Sequence, residues 1–561
     1  MPIADAAADR RRRARWQAGW QALLAIGVVL AISALVLHPG VAAGEATRDV
    51  GEAIYLRGVT GSGAALQAHR DASTSLQGAA AACVNCHRRS GFGGREGRNI
   101  VPPITGRYLF RPRAADAKGV DIPYVEGMRG DREPYTDATL ARAIRDGMDS
   151  QDRTLSYLMP NYPLGDADMA ALVDYLKRLD PRRVPGVTDT TLHFATIVTP
   201  DADARKRSGM LDVLKQFFAD RNVRQMVPAP RMLSSGNTAY SKSMFMVHRR
   251  WQLHVWELTG PESGWQQQLE RRLAAEPVLA VVSGLGGHSW APVHAFCERA
   301  ALPCLFPNVD APVDREHDFY PMYFSKGVLL EAELIADAIL RSGDAAALRR
   351  VRQVYRVGDV GEAGAAALTA TLTRHGIGVT SQVLRPGEAL PALGRGAGSE
   401  ALVLWLRQPD VAALGPAPPE RVYLSGLMAG LENAPLPPGW RERARLAYPF
   451  DLPERRRVRV DFALGWFAIR HIPVVDEQVQ VDTYLACGLL SETLSHMVDT
   501  FVRDYLVERM EASLEHRIVT GYYPRLALAT GQRFASKGGY VVRFADPTGK
   551  AVVADGDWTV P

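Results

Sequence analysis

Cys83-Val84-Asn85-Cys86-His87 places two thiols three positions apart and an imidazole directly after the second. That spacing matches the separation of the two vinyl groups of a porphyrin, and the adjacent imidazole can reach the iron. C-x-x-C-H is therefore read as a c-type haem attachment motif. Composition alone would produce such a string roughly 0.001 times in a chain of this make-up, so the pattern is specific. A thioredoxin-like dithiol also uses C-x-x-C, but it belongs beside a βαβ pattern. Here Gly78 to Ala82 leads in and Arg88-Arg89-Ser90-Gly91-Phe92-Gly93-Gly94 leads out, which is loop composition. One covalent haem c is expected, held by Cys83 and Cys86, with His87 on the iron.

The sixth iron position decides the chemistry. A methionine there makes an electron carrier, and an open position makes a gas-binding or catalytic site. Met128, Met148, Met159 and Met169 are nearby. Met169 shares helical spacing with Leu172, Val173, Leu176 and Leu179, with Asp166 able to cap the start, so it reads as core. Met148 follows Gly147, which ends a helix built on Leu140 and Ile144. Met159 precedes Pro160 in the loop Leu158-Met159-Pro160-Asn161-Tyr162-Pro163. A proline-braced loop can present a thioether without helical backbone, so Met159 is the candidate.

These residues need elements to position them. In order come an opening helix with Gly51 and Tyr55, the C-x-x-C-H string, a loop with Pro102 and Pro103, a helix around Thr136–Gly147, the Met159 loop and a closing helix. Over residues 48–180 this resembles the class I c-type cytochromes, an all-α fold. The resemblance implies His87 and Met159 as axial ligands, with the Pro102 or Pro103 carbonyl accepting from the far nitrogen of His87 and fixing its tautomer. It implies single-electron transfer between periplasmic redox partners, a dehydrogenase or another cytochrome. The Arg-rich segment 107–113 and the stretch 114–134 are longer than the smallest members need.

Residues 181–189 read as a linker. Beyond them strands and helices alternate: strand Leu192–Val198, helix Ala204–Phe218, strand Trp251–Leu258, helix Pro261–Leu273, strand Val278–Val282, helix Trp290–Ala301, strand Cys304–Phe306, helix Val328–Leu340. The pattern restarts with strand Gln353–Val357, helix Gly361–His375, and strands at Ile377–Val383, Ala401–Leu406 and Arg421–Leu424. Alternation of this kind builds parallel sheets flanked by helices, and the length calls for two doubly wound lobes. The strand–loop–helix run 278–312 and the tail 531–544 resemble the type I periplasmic binding proteins, which include branched-chain amino acid receptors. The likeness spans about 190–545, leaving 546–561 as a C-terminal tail. It implies two lobes closing on a small ligand at the carboxyl ends of the strands.

The cleft candidates follow. The Ser283-Gly284-Leu285-Gly286-Gly287-His288-Ser289 loop follows a strand and opens a helix, where backbone N–H groups attract a carboxylate or other anion; Ser283, His288 and Ser289 are its side-chain candidates. Asn308 and Asp310 follow the next strand, and Lys326 precedes a helix. Cys297 and Cys304 are close enough in sequence for a disulfide in an oxidising compartment, or for two buried thiols. Cys487 reads as a buried small residue in an apolar helix. G-x-S-x-G, H-E-x-x-H, a Walker loop and a dinucleotide fingerprint are all missing from the sequence, which points to an electron carrier and binding protein rather than an enzyme.

The 561-residue chain carries a formal net charge of +5. Arg10, Arg11, Arg12, Arg13 and Arg15 against Asp5 and Asp9 put +3 of it in the first twenty residues. An uncharged apolar run, Leu23 to Leu37, follows, and then Val41-Ala42-Ala43. This is the pattern of a secretory signal cleaved after Ala43; the rival is an inner-membrane anchor at residues 22–37. Both orient the remainder toward the periplasm. The remainder is nearly neutral, without interleaved basic and aromatic residues, so nucleic acid is not an expected partner. The alternative to the electron carrier is a periplasmic ligand-binding or sensing receptor of the ABC-importer type, whose closure gates electron transfer or partner docking.

Overall fold

The computed structural model describes residues 49–70, 74–96, 98–110, 132–179, 184–226, 249–315, 317–341, 348, 350–393, 400–416, 418–497, 500–529 and 531–561. The proposed export segment, Met128 and residues 181–183 of the proposed linker lie outside them. Packing divides the chain into two units. The first holds the residues up to 87, with 103–110 and 132–179. The second holds 88–102 and everything from 184 onward.

In the first unit a helical turn, Val50–Glu52, is capped by the Asp49 carboxylate, which accepts from Glu52 N at 3.2 Å. It runs on as a wider turn, Ala53–Arg57, that stops at Gly58 with φ +64°. Helix α1, Asp137–Asp146, starts at a reciprocal Thr136/Thr139 capping box and ends at left-handed Gly147. Helix α2, Asp166–Arg178, buries Met169, Leu172, Val173 and Leu176, so Met169 is core as expected. Its N-cap is Gly165, not Asp166; Asp166 is already helical and accepts from Arg145 at 2.7 Å. The unit is not all-α, because β1 (Gln67–His69) and β2 (Ser75–Gln77) pair antiparallel. The opening turn lies so close to α2 that a Cβ on Gly51 would meet Ala171 O at 2.1 Å and the Tyr175 Cβ at 2.6 Å. Gly51→Val should therefore lower the unit's stability by about 1–3 kcal/mol, as overpacking does. An unchanged thermal midpoint would contradict that close approach.

The first unit ends at Leu179, as the boundary at 180 expects, but it is not continuous over 48–180. Residues 88–102, with the antiparallel pair β3 (Gly94–Glu96) and β4 (Asn99–Val101), belong to the second unit. Ser90 donates from N (2.9 Å) and Oγ (2.5 Å) to the Glu508 carboxylate, and the Phe92 ring packs on Tyr505 at 4.8 Å. Long-range partners of that kind leave no periodic trace in a sequence.

The rest of the second unit is α/β. Strands β5 (Thr191–Val198), β6 (Arg250–Glu257), β7 (Ala280–Val282), β8 (Cys304–Leu305) and β9 (Pro321–Met322) form an all-parallel sheet in the order β6-β5-β7-β8-β9. Strands β10 (Arg350–Arg356), β11 (Gly378–Leu384), β12 (Glu400–Trp405), β13 (Val422–Ser425) and β14 (Ala444–Tyr448) repeat that order as β11-β10-β12-β13-β14. The central strands whose faces are both covered read as near-continuous apolar runs: β12 is buried from Ala401 to Trp405, while the edge strand β11 is largely exposed. The second sheet is not wholly parallel. β15 (Tyr540–Phe544) joins β14 antiparallel, and β16 (Val552–Ala554) joins β15. Residues 546–561 are thus no tail, since they supply an edge strand. Nor is 184–189 a free linker: Val187 bridges Leu192, and His193 N donates to Gly186 O at 2.8 Å.

Helices α3 (Ala204–Met226), α4 (Trp265–Ala275), α5 (Ala291–Arg299), α6 (Val328–Arg341) and α7 (Gly361–Arg374) match the expected alternation within a few residues, α3 running longest beyond it. Three more follow β14: α8 (Pro453–Ile469), α9 (Glu477–His496) and α10 (Arg503–Leu514). Helix α9 returns to pack on α3 of the first sheet's layer. The chain then passes beside β9, with Tyr323 N donating to Arg533 O at 2.8 Å, before entering the second sheet as β15. Among the described residues, no helix is long and apolar enough to cross a membrane.

Candidate functional site

Two places carry chemistry. The first lies in the first unit, where Cys83, Val84 and Met159 pack against one apolar core that includes Tyr55, Leu140, Tyr162 and Leu172. His87 is buried at the end of the short helix Val84–His87, whose first turn is closed by His87 N donating to Cys83 O at 2.9 Å. The Met159 loop is fixed on two sides. Asn161 exchanges backbone hydrogen bonds with His69 at 2.8 and 2.9 Å, and the Tyr162 hydroxyl donates to Ala81 O at 3.1 Å, two residues before Cys83. Burial pushes the Tyr162 hydroxyl above its ordinary value. Burial pushes the Cys83 thiol up to about 12, so it stays protonated near neutral pH. Met148 is turned to other use, accepting from Thr154 Oγ1 at 3.9 Å. Cys83 and Met159 share one apolar core, Cys86 and buried His87 lie on the short helix that follows Cys83, and that donor set fits a haem c. Pro102 is exposed, with its carbonyl against Gly93, and Pro103 is buried.

The second place is a cavity of about 350 Å³ within the second unit. Its walls come from the carboxyl ends of strands in both sheets, the switch region where α/β folds place ligands. Gly286, Gly287 and His288 follow β7, Asn308 and Asp310 follow β8, and Tyr323 and Phe324 follow β9. From the other sheet come Arg407 after β12, Leu427 after β13 and Phe450 after β14. Gln478 and Asp482 reach in from α9, and Tyr523 from beyond α10.

Of the sequence candidates, His288, Asn308 and Asp310 line this cavity. Ser283 does not. It is fully buried with φ +51°, accepting from Asn308 Nδ2 at 2.9 Å and paired with Thr483 Oγ1 at 3.1 Å. Ser289 is outside the lining, and the helix opens only at Ala291. Lys326 turns away onto Asp314 at 2.9 Å and Glu333 at 3.5 Å, leaving its neighbours Ser325 and Gly327 in the wall.

The glycine loop is not the open anion cradle its composition suggests. Gly287 N donates to Thr199 Oγ1 at 3.0 Å and Gly286 N to Asn308 O at 3.2 Å. His288 donates from N and from Nδ1 to Asp201 Oδ2, both at 2.7 Å. Burial opposes the charge of Asp201, but the Thr199 hydroxyl at 2.6 Å and the two His288 donors outweigh it and lower the carboxyl to about 2. The chain's own carboxylate fills the cradle.

Asp482 is the opposite case. It is 3% exposed, and burial pushes its carboxyl up to about 7, against hydrogen bonds from Tyr523 and Gln478. Oδ2 accepts from the Tyr523 hydroxyl at 3.1 Å. Oδ1, buried, has no hydrogen bond of normal geometry. Sequence reading missed Asp201, Arg407, Phe450, Asp482 and Tyr523. Only Asp482 left a signal, as a lone acid in the apolar run Val481–Leu490.

Cys297 and Cys304 are free thiols, both fully buried and hydrogen bonded to one another. Cys487 is buried as expected.

No family model matches the chain, and no curated protein matches it. Solved structures do share part of its course. A fatty acid ABC transporter substrate-binding protein from Thermomonospora curvata is 14% identical, covering 68% of this chain and 95% of its own, with a TM-score of 0.45. A branched-chain amino acid ABC transporter protein from Thermus thermophilus with bound valine is 10% identical, covering 67% and 97%, with a TM-score of 0.46. A branched-chain amino acid transporter substrate-binding protein from Streptococcus pneumoniae in complex with isoleucine is 8% identical, covering 66% and 100%, with a TM-score of 0.46.

Proposed function

We propose that the second unit is a receptor for a small molecule, of the type I periplasmic binding protein kind, and that the first unit carries one haem c for single-electron transfer. The observation that carries the receptor reading is the cavity at the strand ends of both sheets, where aromatic and aliphatic side chains meet a convergent set of charged and polar ones. Such a cavity lies where relative movement of the two layers would open or close it. The test is native mass spectrometry of the full chain as exported. Wild-type protein should carry a bound small mass that Leu427→Trp, which fills the cavity, loses. Equal bound masses in both proteins would refute the reading.

The haem reading has its own support, the packing of Cys83 and Met159 on one core, with the Met159 loop tied through Tyr162 to Ala81, two residues before Cys83. Cys83 and Cys86 would hold the porphyrin through thioether bonds, and His87 and Met159 would take the axial positions. When bound, a haem supplies one-electron transfer at the iron. The remaining work is the chain's own: the apolar core excludes water, and Tyr162 and Asn161 hold the Met159 loop. A carbonyl of Pro102 or Pro103 would orient His87. The partners are a periplasmic dehydrogenase or another cytochrome, and a small ligand, with closure on that ligand gating electron transfer or docking. Periplasmic export belongs with this reading, through residues 1–43 or an anchor at 22–37.

A further inference from the structure

We propose that the cavity takes a small primary amine without a carboxylate, its ammonium received by Asp482 and its carbon body enclosed by Phe324, Phe450 and Tyr523. The proposal rests on the receptor reading above and names the ligand class for that site.

Three observations carry it. First, the position suited to a ligand carboxylate is taken. The Thr199 hydroxyl and both His288 donors converge on Asp201 at 2.6–2.7 Å, so an incoming acid would find no unspent donors there and would face that carboxylate. Second, the lining is acidic. Asp201, Asp203, Asp310 and Asp482 stand against Lys206 and Arg407. Arg407 is committed to Asp359 at 2.8 Å and Asp310 at 3.4 Å, and Lys206 lies beside Asp203. In a water-poor cleft that balance attracts a cation and rejects an anion. Third, Asp482 lines the cavity from α9 at 3% exposure, its carboxyl met by the Tyr523 hydroxyl at 3.1 Å and by Gln478, both neutral groups. A buried carboxylate is costly without an opposite charge beside it, and an ammonium brings that charge together with three N–H donors.

The aromatic walls favour the same class. Phe324 and Tyr523 are ring neighbours at 5.4 Å, and Phe450 and Tyr523 at 5.5 Å. They form a connected aromatic surface on which alkyl carbons lose water and toward whose faces a cation is drawn. A cavity of about 350 Å³ limits the guest to a compact molecule.

The test compares three probes with one carbon skeleton: isobutylamine, isobutanol and isobutyrate. Thermal midpoints of the full chain are followed against probe concentration near pH 7.5. Isobutylamine should raise the midpoint saturably, the alcohol and the acid should not, and Asp482→Asn should weaken the amine at least tenfold. The comparison of probes on wild-type protein stands even if that variant fails to fold. A shift by isobutyrate alone, or an amine effect undiminished in folded Asp482→Asn, would overturn the amine assignment. So would the absence of a shift with all three. Failure of the receptor reading is seen separately, as a native mass spectrum without a bound small mass.

Discussion

Replacing Met159 with alanine should abolish the thioether-to-iron absorption band of the oxidised protein while leaving the haem covalently attached. On the haem reading, attachment would depend on Cys83 and Cys86 and the band on sulfur at the sixth position, so the two readouts would separate. The expectation is specific to Met159 because the described rivals are committed elsewhere. Met169 is 3% exposed in the core face of α2, and Met148 accepts from Thr154. Met159 sits half-buried on the same core as Cys83, in a loop pinned by Asn161 to His69 and by Tyr162 to Ala81. Loss of the thioether would open the iron, so carbon monoxide should bind the reduced variant at once and the wild type slowly. An unchanged spectrum in the variant would refute the axial assignment, and a chain without covalent haem would refute the haem reading itself.

Glu331→Gln should make the second unit more stable at pH 8 and leave it nearly unchanged near pH 4.5. Glu331 lies on α6, fully buried, accepting from Leu427 N at 2.8 Å and from the Ser425 hydroxyl. Burial pushes its carboxyl up to about 8, against those hydrogen bonds, and the Asp310 charge adds to the rise. A carboxyl whose pKa is raised by folding binds its proton more tightly in the native state. Its contribution is therefore complete below the unfolded value near 4.5 and is lost as pH climbs toward 8. The loss is about 1.4 kcal/mol for each pH unit in that window, as an upper limit. Glutamine keeps an acceptor for Leu427 N and carries no charge to desolvate. Thermal denaturation of both proteins at pH 5 and pH 8 checks this. A stability difference that does not grow with pH would contradict the burial of an ionisable acid here.

The sequence made some elements plain and hid others for physical reasons. The strands β5, β7 and β12 are largely apolar runs, and the structure places them within a few residues of expectation, each paired to parallel neighbours. The repeated order of the two sheets was not readable, since pairing depends on contacts far apart in the chain. The transfer of residues 88–102 to the second unit hangs on Ser90 meeting Glu508, more than four hundred positions away. The site was legible in the same uneven way. His288, Asn308 and Asp310 follow strands, and strand ends converge in such folds, so position alone found them. The glycine loop misled because its composition suits an anion cradle, while the carboxylate that fills it, Asp201, comes from another strand end. Asp482 could be noticed as an acid among apolar neighbours, but its approach to Tyr523 could not.

The receptor reading is tested most directly by difference density in crystals of the protein purified without added ligand. A compact small molecule is expected in the cavity between the two sheets, in contact with Asp482 and the Phe450 ring. A bound molecule found elsewhere in the second unit, with this cavity holding only water, would contradict it.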